Sequence, residues 1–349
     1  VAALATPARW RQPLLGGLGV AAVLLGSQTL AASSSLRSDV RLLLPSEGLL
    51  AGLGDGLRRG YGLAMEESRS CGVRPPSLQL GWLPPGADPL GPLSAAPRSQ
   101  LLVAPPAAPL QAYGALANEQ QLSVLLPLQR GISLEGLPQL RGSDRLWPLL
   151  PSRSLEADRL AQALLSRGQV IGPTATPIAL AADDGKALQQ LVSDVDWYRP
   201  QGLVVISQAD SQLAEAIRGS SWPEGVVVAW TAPVGKPLMQ PQIGVSPLGR
   251  GPGWRRFAER FEQRWGYKPG VVESAGYDSG LMAALASVQT GGRAGWDLQW
   301  FSSNAKAQPL CTALQLRAQG ARVRPQAASS ELDLSPGVPP TAQLRLSRG

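Results

Sequence analysis

Residues 40–70 read VRLLLPSEGLLAGLGDGLRRGYGLAMEESRS, and this stretch decides the predicted fold. Its opening at 40–44 is a short apolar run that ends at a proline, which is the pattern of a buried strand. Glycines then predict a loop, and a helix is predicted over about 55–70 because one face repeats at spacings of three and four. The members of that face are Leu57, Tyr61, Ala64, Met65 and Ser68. A buried strand followed by an amphipathic helix is the first unit of an α/β sheet.

The same alternation continues along most of the chain. Further strands are predicted at 78–83, 101–104, 122–126, 146–150, 178–182, 203–206 and 226–230. Helices are predicted at about 110–119, 154–166, 186–195, 209–218, 253–265 and 273–288. Strands that alternate with helices predict parallel sheets covered by helices, so the fold class is α/β. A chain of 349 residues is too long for one small core, and about two compact units are expected.

The first 32 residues have the pattern of a secretory signal peptide. Arg9 and Arg11 precede an apolar run at 14–25, and small residues follow at the end of the segment. The run is shorter than the roughly 20 residues of a spanning helix, so we expect a cleaved signal, with an uncleaved anchor as the alternative. The mature chain is then expected to be periplasmic or extracytoplasmic. In that oxidising compartment Cys71 and Cys311 either form a disulfide or remain two buried thiols.

Composition argues against two classes of function. The net charge is +7, but the 32 basic residues are scattered without a basic stripe, so nucleic-acid binding is not expected. The chain contains no His and only two Cys, so no zinc-type cluster is expected, and the commonest general base is missing. We therefore predict no metal, no cofactor and no enzymatic activity.

Two blocks of sequence carry a resemblance to a known family. The first begins with the strand and loop at 40–48 and continues into the helix that contains Gly60. The second runs from a helix with Phe257 and Phe261, through the turn at 266–269, to the Tyr277-Asp278 pair. Together they resemble type I periplasmic binding proteins, in particular the leucine-binding-like receptors of branched-chain amino acid ABC transporters. The resemblance covers about 40–286.

The resemblance implies a two-lobed Venus flytrap, with a parallel sheet flanked by helices in each lobe and a ligand between the lobes. The implied division is a signal peptide at 1–32, lobe one at 37–145, lobe two at 146–250, returning helices of lobe one at 251–300, and an irregular C-terminal segment at 301–349. The implied function is delivery of a small polar ligand, an amino acid or amide-like molecule, to a membrane ABC permease by a monomeric receptor. The alternative is a non-transport ligand-sensing or protein-interaction module of the cell envelope on the same fold.

The resemblance also assigns the ligand contacts, and here the sequence departs from the family. The matching positions are Ser46, Glu47, Ala107, Ala108, Gln129, Gln208, Thr231 and Tyr277. Amino-acid receptors hold their ligand with hydroxyl groups and an acid, yet these loops contain mainly Pro, Ala and Gln. A buried ammonium group without an acidic partner is costly. We therefore expect that the ligand is not an ordinary amino acid or that binding has been lost. Two of these residues have another explanation besides ligand contact. Glu47 is alternatively a solvated loop residue, and Tyr277 alternatively packs between helices.

Overall fold

The computed structural model describes residues 39–47, 51–84, 86–91, 99–106, 109–129, 134, 136–165, 185–199, 202–205, 212–230, 241–246, 251–338, 340 and 345–348. The predicted signal peptide at 1–32 and the predicted strand at 178–182 lie outside these ranges. Within them, no helix has the length and apolar character needed to cross a membrane.

The strands and helices alternate as predicted over most of the described chain. The strands are β1 Val40–Pro45, β2 Leu78–Leu83, β3 Leu101–Val103, β4 Ser123–Leu126, β5 Leu146–Pro148, β6 Gly202–Val205, β7 Val227–Trp230, β8 Gln242–Ser246, β9 Gln289–Thr290, β10 Arg293–Ala294, β11 Ala307–Gln308, β12 Arg324–Pro325 and β13 Arg345–Arg348. The helices are α1 Ala51–Ser70, α2 Leu110–Gln120, α3 Arg153–Leu165, α4 Gly185–Tyr198, α5 Gln212–Gly219, α6 Trp254–Trp265, α7 Val271–Ser287 and α8 Leu310–Ala318.

The first sheet has the strand order β2-β1-β3-β4-β5, and all its pairs are parallel. Side chains along its central strands alternate between two cores. Leu42 and Leu44 lie in the core under α1 and α7, whereas Leu43 contributes to the core under α2. The prediction that β5 opens the second lobe is wrong, because Val124 of β4 pairs with Leu146 of β5.

Helices α1 and α7 approach each other unusually closely because glycines line their contact. A Cβ atom on Gly60 would lie 2.7 Å from the Tyr277 backbone nitrogen, and one on Gly276 would lie 2.8 Å from the Leu57 Cα. Helix α1 also begins earlier than predicted, at Ala51, since Gly54 lets its first turn pack against the end of β1: a Cβ there would be 2.8 Å from the Pro45 carbonyl oxygen. Gly54, one of the glycines that suggested a loop, therefore serves helix packing, whereas a Cβ on Gly52 would have no atom within 4 Å.

The second sheet has the order β13-β8-β7-β6. Strands β6, β7 and β8 are parallel, and β13 pairs with β8 in the antiparallel sense. Leu160 and Leu164 of α3 pack on one face, while a cluster that includes Ile217 and Trp222 covers the other. Strands β8 and β13 were not predicted, because each is short and contains only one or two apolar residues.

The C-terminal region from 301 onward was predicted to be irregular, and this prediction is wrong. Its helix α8 contributes Leu310 and Leu314 to the core of the first sheet, and β11 pairs with β12. Cys71 at the end of α1 and Cys311 in α8 form a disulfide, with their Cα atoms 5.1 Å apart. The disulfide decides between the two alternatives for these cysteines and joins residues 240 positions apart.

The elements of the described ranges place three passes of the chain between the two sheets. It leaves the first sheet after β5 and enters α3, returns from β8 into α6, and leaves again after 338 to form β13. We call these passes crossings one, two and three. Each sheet is thus completed by segments that are distant in the sequence.

Candidate functional site

The carboxyl ends of the five parallel strands of the first sheet meet at one edge, which is where α/β sheets bind ligands. Every one of these strands ends at a proline or is followed by one within two residues. These prolines are Pro45, Pro84, Pro105, Pro127 and Pro148, and we call them the proline rim. Proline has no backbone N–H, so the rim lacks the donors that commonly hold a ligand carboxylate at such an edge.

Three of the N–H groups beside the rim are already used within the sheet. Ser46 donates to the Leu83 carbonyl at 3.0 Å, and Leu149 donates to the Leu126 carbonyl at 3.1 Å. Between them, the Ala104 N–H donates to the Leu125 carbonyl at 2.9 Å. These bonds extend the ladder past the strand ends, so these three N–H groups are not offered to a ligand.

Ser46 and Glu47 lie where the sequence predicted them, directly after β1. Ser46 is half-buried and Glu47 is exposed. Neither side chain bonds to another residue within the described ranges, so a hydroxyl group and a carboxylate are available together at the end of β1, the second strand of the sheet. They are the two predicted ligand residues that the structure brings side by side in an accessible position.

Gln129 lies at the same edge but has a bracing role. It is only 6% exposed, and its side-chain amide donates to the carbonyl oxygens of Pro105 at 3.1 Å and Pro106 at 2.9 Å. The amide therefore ties the segment after β4 to the segment after β3. Since both of these bonds use its N–H donors, Gln129 shapes the rim and does not present those donors to a ligand.

Tyr277 lies away from the rim, inside the helical layer of the first sheet. It is 4% exposed, its ring centroid lies 4.8 Å from that of Phe257, and its hydroxyl donates to Glu67 at 2.7 Å. Burial, and then the Glu67 carboxylate, raise the pKa of Tyr277 well above its ordinary value. Glu67 is near the C-terminal end of α1, roughly 24 Å along the helix from the rim at 1.5 Å per residue. Tyr277 thus packs between helices, the alternative that the sequence left open.

The remaining predicted contacts, Ala107, Ala108, Gln208 and Thr231, lie outside the described residues. For the part of the chain that the structure describes, the candidate site is the edge formed by the proline rim, Ser46 and Glu47. No group of three or more Cys, Asp or Glu side chains in these ranges is placed to hold a metal ion.

A second group of functional interest, which sequence reasoning missed, lies where the crossings leave the first sheet. Asp278 of α7 is completely buried and accepts bonds from the backbone N–H groups of Ala328 at 2.7 Å and Ser329 at 2.8 Å. It also accepts a bond from the Ser329 hydroxyl. Burial raises the pKa of Asp278 to about 6, although these hydrogen bonds lower it. The signal in the sequence is an aspartate shortly before the apolar stretch 280–286 of the same helix.

The segment held by Asp278 contacts the other passes of the chain. Ala327 and Ala328 accept bonds from the N–H groups of Gly253 at 2.8 Å and Gly251 at 3.0 Å in crossing two. The buried Ser330 hydroxyl donates to the Leu149 carbonyl of crossing one at 3.2 Å. One carboxylate is therefore connected, through a single segment, to the starts of the other crossings.

No protein-family model and no curated protein matches this sequence. Solved structures do match it. A branched-chain amino acid ABC transporter periplasmic ligand-binding protein from Burkholderia xenovorans is 15% identical with a TM-score of 0.51, over 72% of this chain and 78% of that chain. A solute-binding protein from R. palustris in complex with benzoate is 14% identical with a TM-score of 0.50, over 89% of this chain and 92% of that one. A leucine-binding protein from Thermotoga maritima is 12% identical with a TM-score of 0.50, over 71% and 82%.

The chain has the type I periplasmic binding protein fold. In this fold the two sheets described above are the cores of two lobes, and the three crossings are the connections between them. The predicted fold class and the predicted resemblance are confirmed. The structural neighbours are binding proteins: one was solved in complex with benzoate, one is a leucine-binding protein, and one is a periplasmic ligand-binding protein of a branched-chain amino acid ABC transporter.

Proposed function

We propose that this protein is an extracytoplasmic solute-binding protein that delivers a small polar ligand to a membrane ABC permease. The observation that carries the proposal is the pair of α/β lobes joined by three crossings. The carboxyl ends of the strands of the first sheet lie at the edge where crossing one begins. A ligand held between such lobes favours the closed state through its differential affinity for it. We propose further that the chain is exported by residues 1–32, acts as a monomer and is not an enzyme.

The proline rim supports an amide-like ligand over an ordinary amino acid. A ligand carboxylate needs N–H or cationic donors, and the described edge of lobe one has prolines at every strand end. An uncharged amide instead needs one donor and one acceptor, which the Ser46 hydroxyl and the Glu47 carboxylate supply. The ligand is therefore proposed to lack a free carboxylate.

A thermal-shift series with three matched compounds tests this proposal. Leucine carries an ammonium and a carboxylate, leucinamide replaces the carboxylate with an amide, and isocaproamide, which is leucinamide without its amino group, has the amide alone. We expect the two amides to raise the melting temperature more than leucine, since a ligand at 100 times its Kd stabilises the folded state by about 2.7 kcal/mol. A Ser46→Ala variant is expected to reduce the shift, whereas Asp88→Asn, an exposed change in the loop after β2, is the control. A larger shift with leucine would contradict the proposed ligand class.

The second candidate is a non-transport sensing or protein-interaction module on the same fold. The observation that favours it is the scarcity of polar groups at the rim. The two candidates differ in genomic context: a transport receptor is expected to be encoded beside permease and ATPase genes. They also differ in the ligand series, because an interaction module that has lost its ligand would show no shift with any member of a wide screen.

A further inference from the structure

Asp278 is the one charged group of α7 between Val271 and Ser287 that is fully buried, and its bonds leave the helix for a distant segment. It binds the backbone at Ala328 and Ser329, some 50 residues further along the chain. A buried carboxylate is costly unless its hydrogen bonds are made, so its three donors are held strongly in place.

The segment from Ala327 to Ser330 leaves little freedom to the residues that contact it. A Cβ atom on Gly251 would lie 2.9 Å from the Ala327 carbonyl carbon, and one on Gly253 would lie 3.0 Å from the Ala327 oxygen. Crossing two therefore passes the segment at backbone contact distance, which only glycine permits. On the other side, Ser330 bonds to Leu149, and the Gly337 N–H donates to the Leu146 carbonyl at 2.7 Å.

We propose that Asp278 is a positioning residue of the hinge: it fixes the lobe-one ends of all three crossings as one rigid block. Rotation between the lobes is then absorbed beyond this block, on the lobe-two side of the crossings. Loss of the Asp278 bonds is expected to make the lobe-one ends of all three crossings more mobile together, although these ends are far apart in the sequence. The proposal deepens the proposed function, because it specifies where the receptor bends.

Hydrogen exchange without ligand tests the proposal, so that its outcome does not depend on whether the ligand assignment is correct. The test compares wild type with Asp278→Asn at about pH 8, where the carboxylate is ionised. Asparagine has the same shape, but its NH₂ group faces backbone donors. We expect the amides of Leu149, Gly251, Gly253 and Ser329 to exchange about tenfold faster or more, as one group.

Glu67→Gln is the matched control, because Glu67 is a second fully buried carboxylate in the same lobe. Its contacts are Arg260 at 3.0 Å, Arg256 at 3.4 Å and the Tyr277 hydroxyl, all of them between helices and none at a crossing. This variant is expected to accelerate hydrogen exchange in α1 and α6. The amides at the crossings are expected to change their exchange rates no more than the other amides of lobe one.

Ser329→Ala keeps the proposal testable if Asp278→Asn does not fold. It removes one bond to Asp278 and leaves the carboxylate in place, so we expect a smaller increase in exchange at the same crossing amides. If these amides exchange no faster in either variant than in Glu67→Gln, once global stability is matched, Asp278 is an ordinary core residue and the proposal is overturned.

Discussion

Gly60 and Gly276 sit at the point of closest approach between α1 and α7, where main chain lies against main chain. Main-chain atoms cannot give way as the end of a flexible side chain can, so even one methyl group must push the helices apart. The contact therefore depends on the absence of a side chain, which a count of apolar positions does not reveal.

Substitution of Gly60 by Ala is expected to lower the free energy of unfolding by about 2–3 kcal/mol through overpacking. Gly62 lies two residues further in the same helix and has no atom within 4 Å of its would-be Cβ. Gly62→Ala is therefore the control, and it is expected to stabilise the protein by about 0.5–1 kcal/mol through helix propensity. Urea unfolding of both variants measures the difference, and equal effects would show that the helices are not in close contact.

The burial of Asp278 makes the stability of the protein depend on pH. Its pKa is about 6 in the folded protein compared with an ordinary value of 3.8, so between these values the folded state binds a proton that the unfolded chain does not. The contribution of Asp278 to the free energy of unfolding therefore rises as the pH falls from about 7 to 4, by about 3 kcal/mol at most.

The asparagine of the Asp278→Asn variant does not bind a proton in this pH range, so the variant lacks this gain in stability. The difference in unfolding free energy between wild type and variant should thus shift in favour of wild type as the pH is lowered, which urea titrations at about pH 7, 5.5 and 4 measure. A difference that does not vary with pH would mean that Asp278 has the same pKa in both states.

At the residue scale, the sequence indicated part of the candidate site and missed the group around Asp278. Ser46 and Glu47 were predictable because a strand, a proline and a loop identify the carboxyl end of β1. Tyr277 and Gln129 were placed in the site by resemblance, but the bonds that engage them involve Glu67 and two proline carbonyls that are distant in the sequence. The partners of Asp278 are equally remote, so no local pattern indicates its role.

At the scale of elements, periodicity was sufficient wherever a strand or helix was long and one-sided. Helices α1 and α6 were predicted to within a few residues, because their buried faces repeat regularly. Helix α7 was predicted equally closely, although it is buried on all sides from Ser274 to Ala286. Strand β13 was not predicted, because its position depends on pairing with β8. Helix α8 was not predicted, because its segment is surrounded by Gly, Pro and Ser. Its apolar residues nevertheless complete the core.

The disulfide links two of these elements, α1 and α8. Such a link stabilises a protein mainly by restricting the unfolded chain, and the enclosed loop here is long. Replacing both Cys71 and Cys311 with Ser is expected to lower the free energy of unfolding by about 2–4 kcal/mol. Thermal unfolding checks this result. The double variant should no longer respond to dithiothreitol, whereas the wild type should lose stability on reduction; an equal response would mean that the bond does not form.

At the scale of the whole molecule, lobe one is assembled from both ends of the described chain. The segment from α8 to Leu334 supplies buried core residues and the partners of Asp278. A chain that ends at residue 300 should therefore fail to fold, which circular dichroism and the loss of a cooperative melting transition would show.

The matched control ends at residue 338 and removes β13 while keeping the core of lobe one. This shorter protein should retain the melting transition of lobe one and lose protection only around β8, the partner of β13. Cooperative folding of the chain that ends at 300 would contradict the assignment of the C-terminal region to the lobe-one core.

The disulfide has one more consequence, which concerns cleavage of the chain. All of α3 to β8 lies between Cys71 and Cys311, so the sulfur atoms close a covalent circle that contains this part of lobe two. A protease that nicks the circle once produces two polypeptides that remain one molecule, because they are still joined through sulfur. The protein thus stays covalently whole after a single cut between Cys71 and Cys311 for as long as its surroundings remain oxidising.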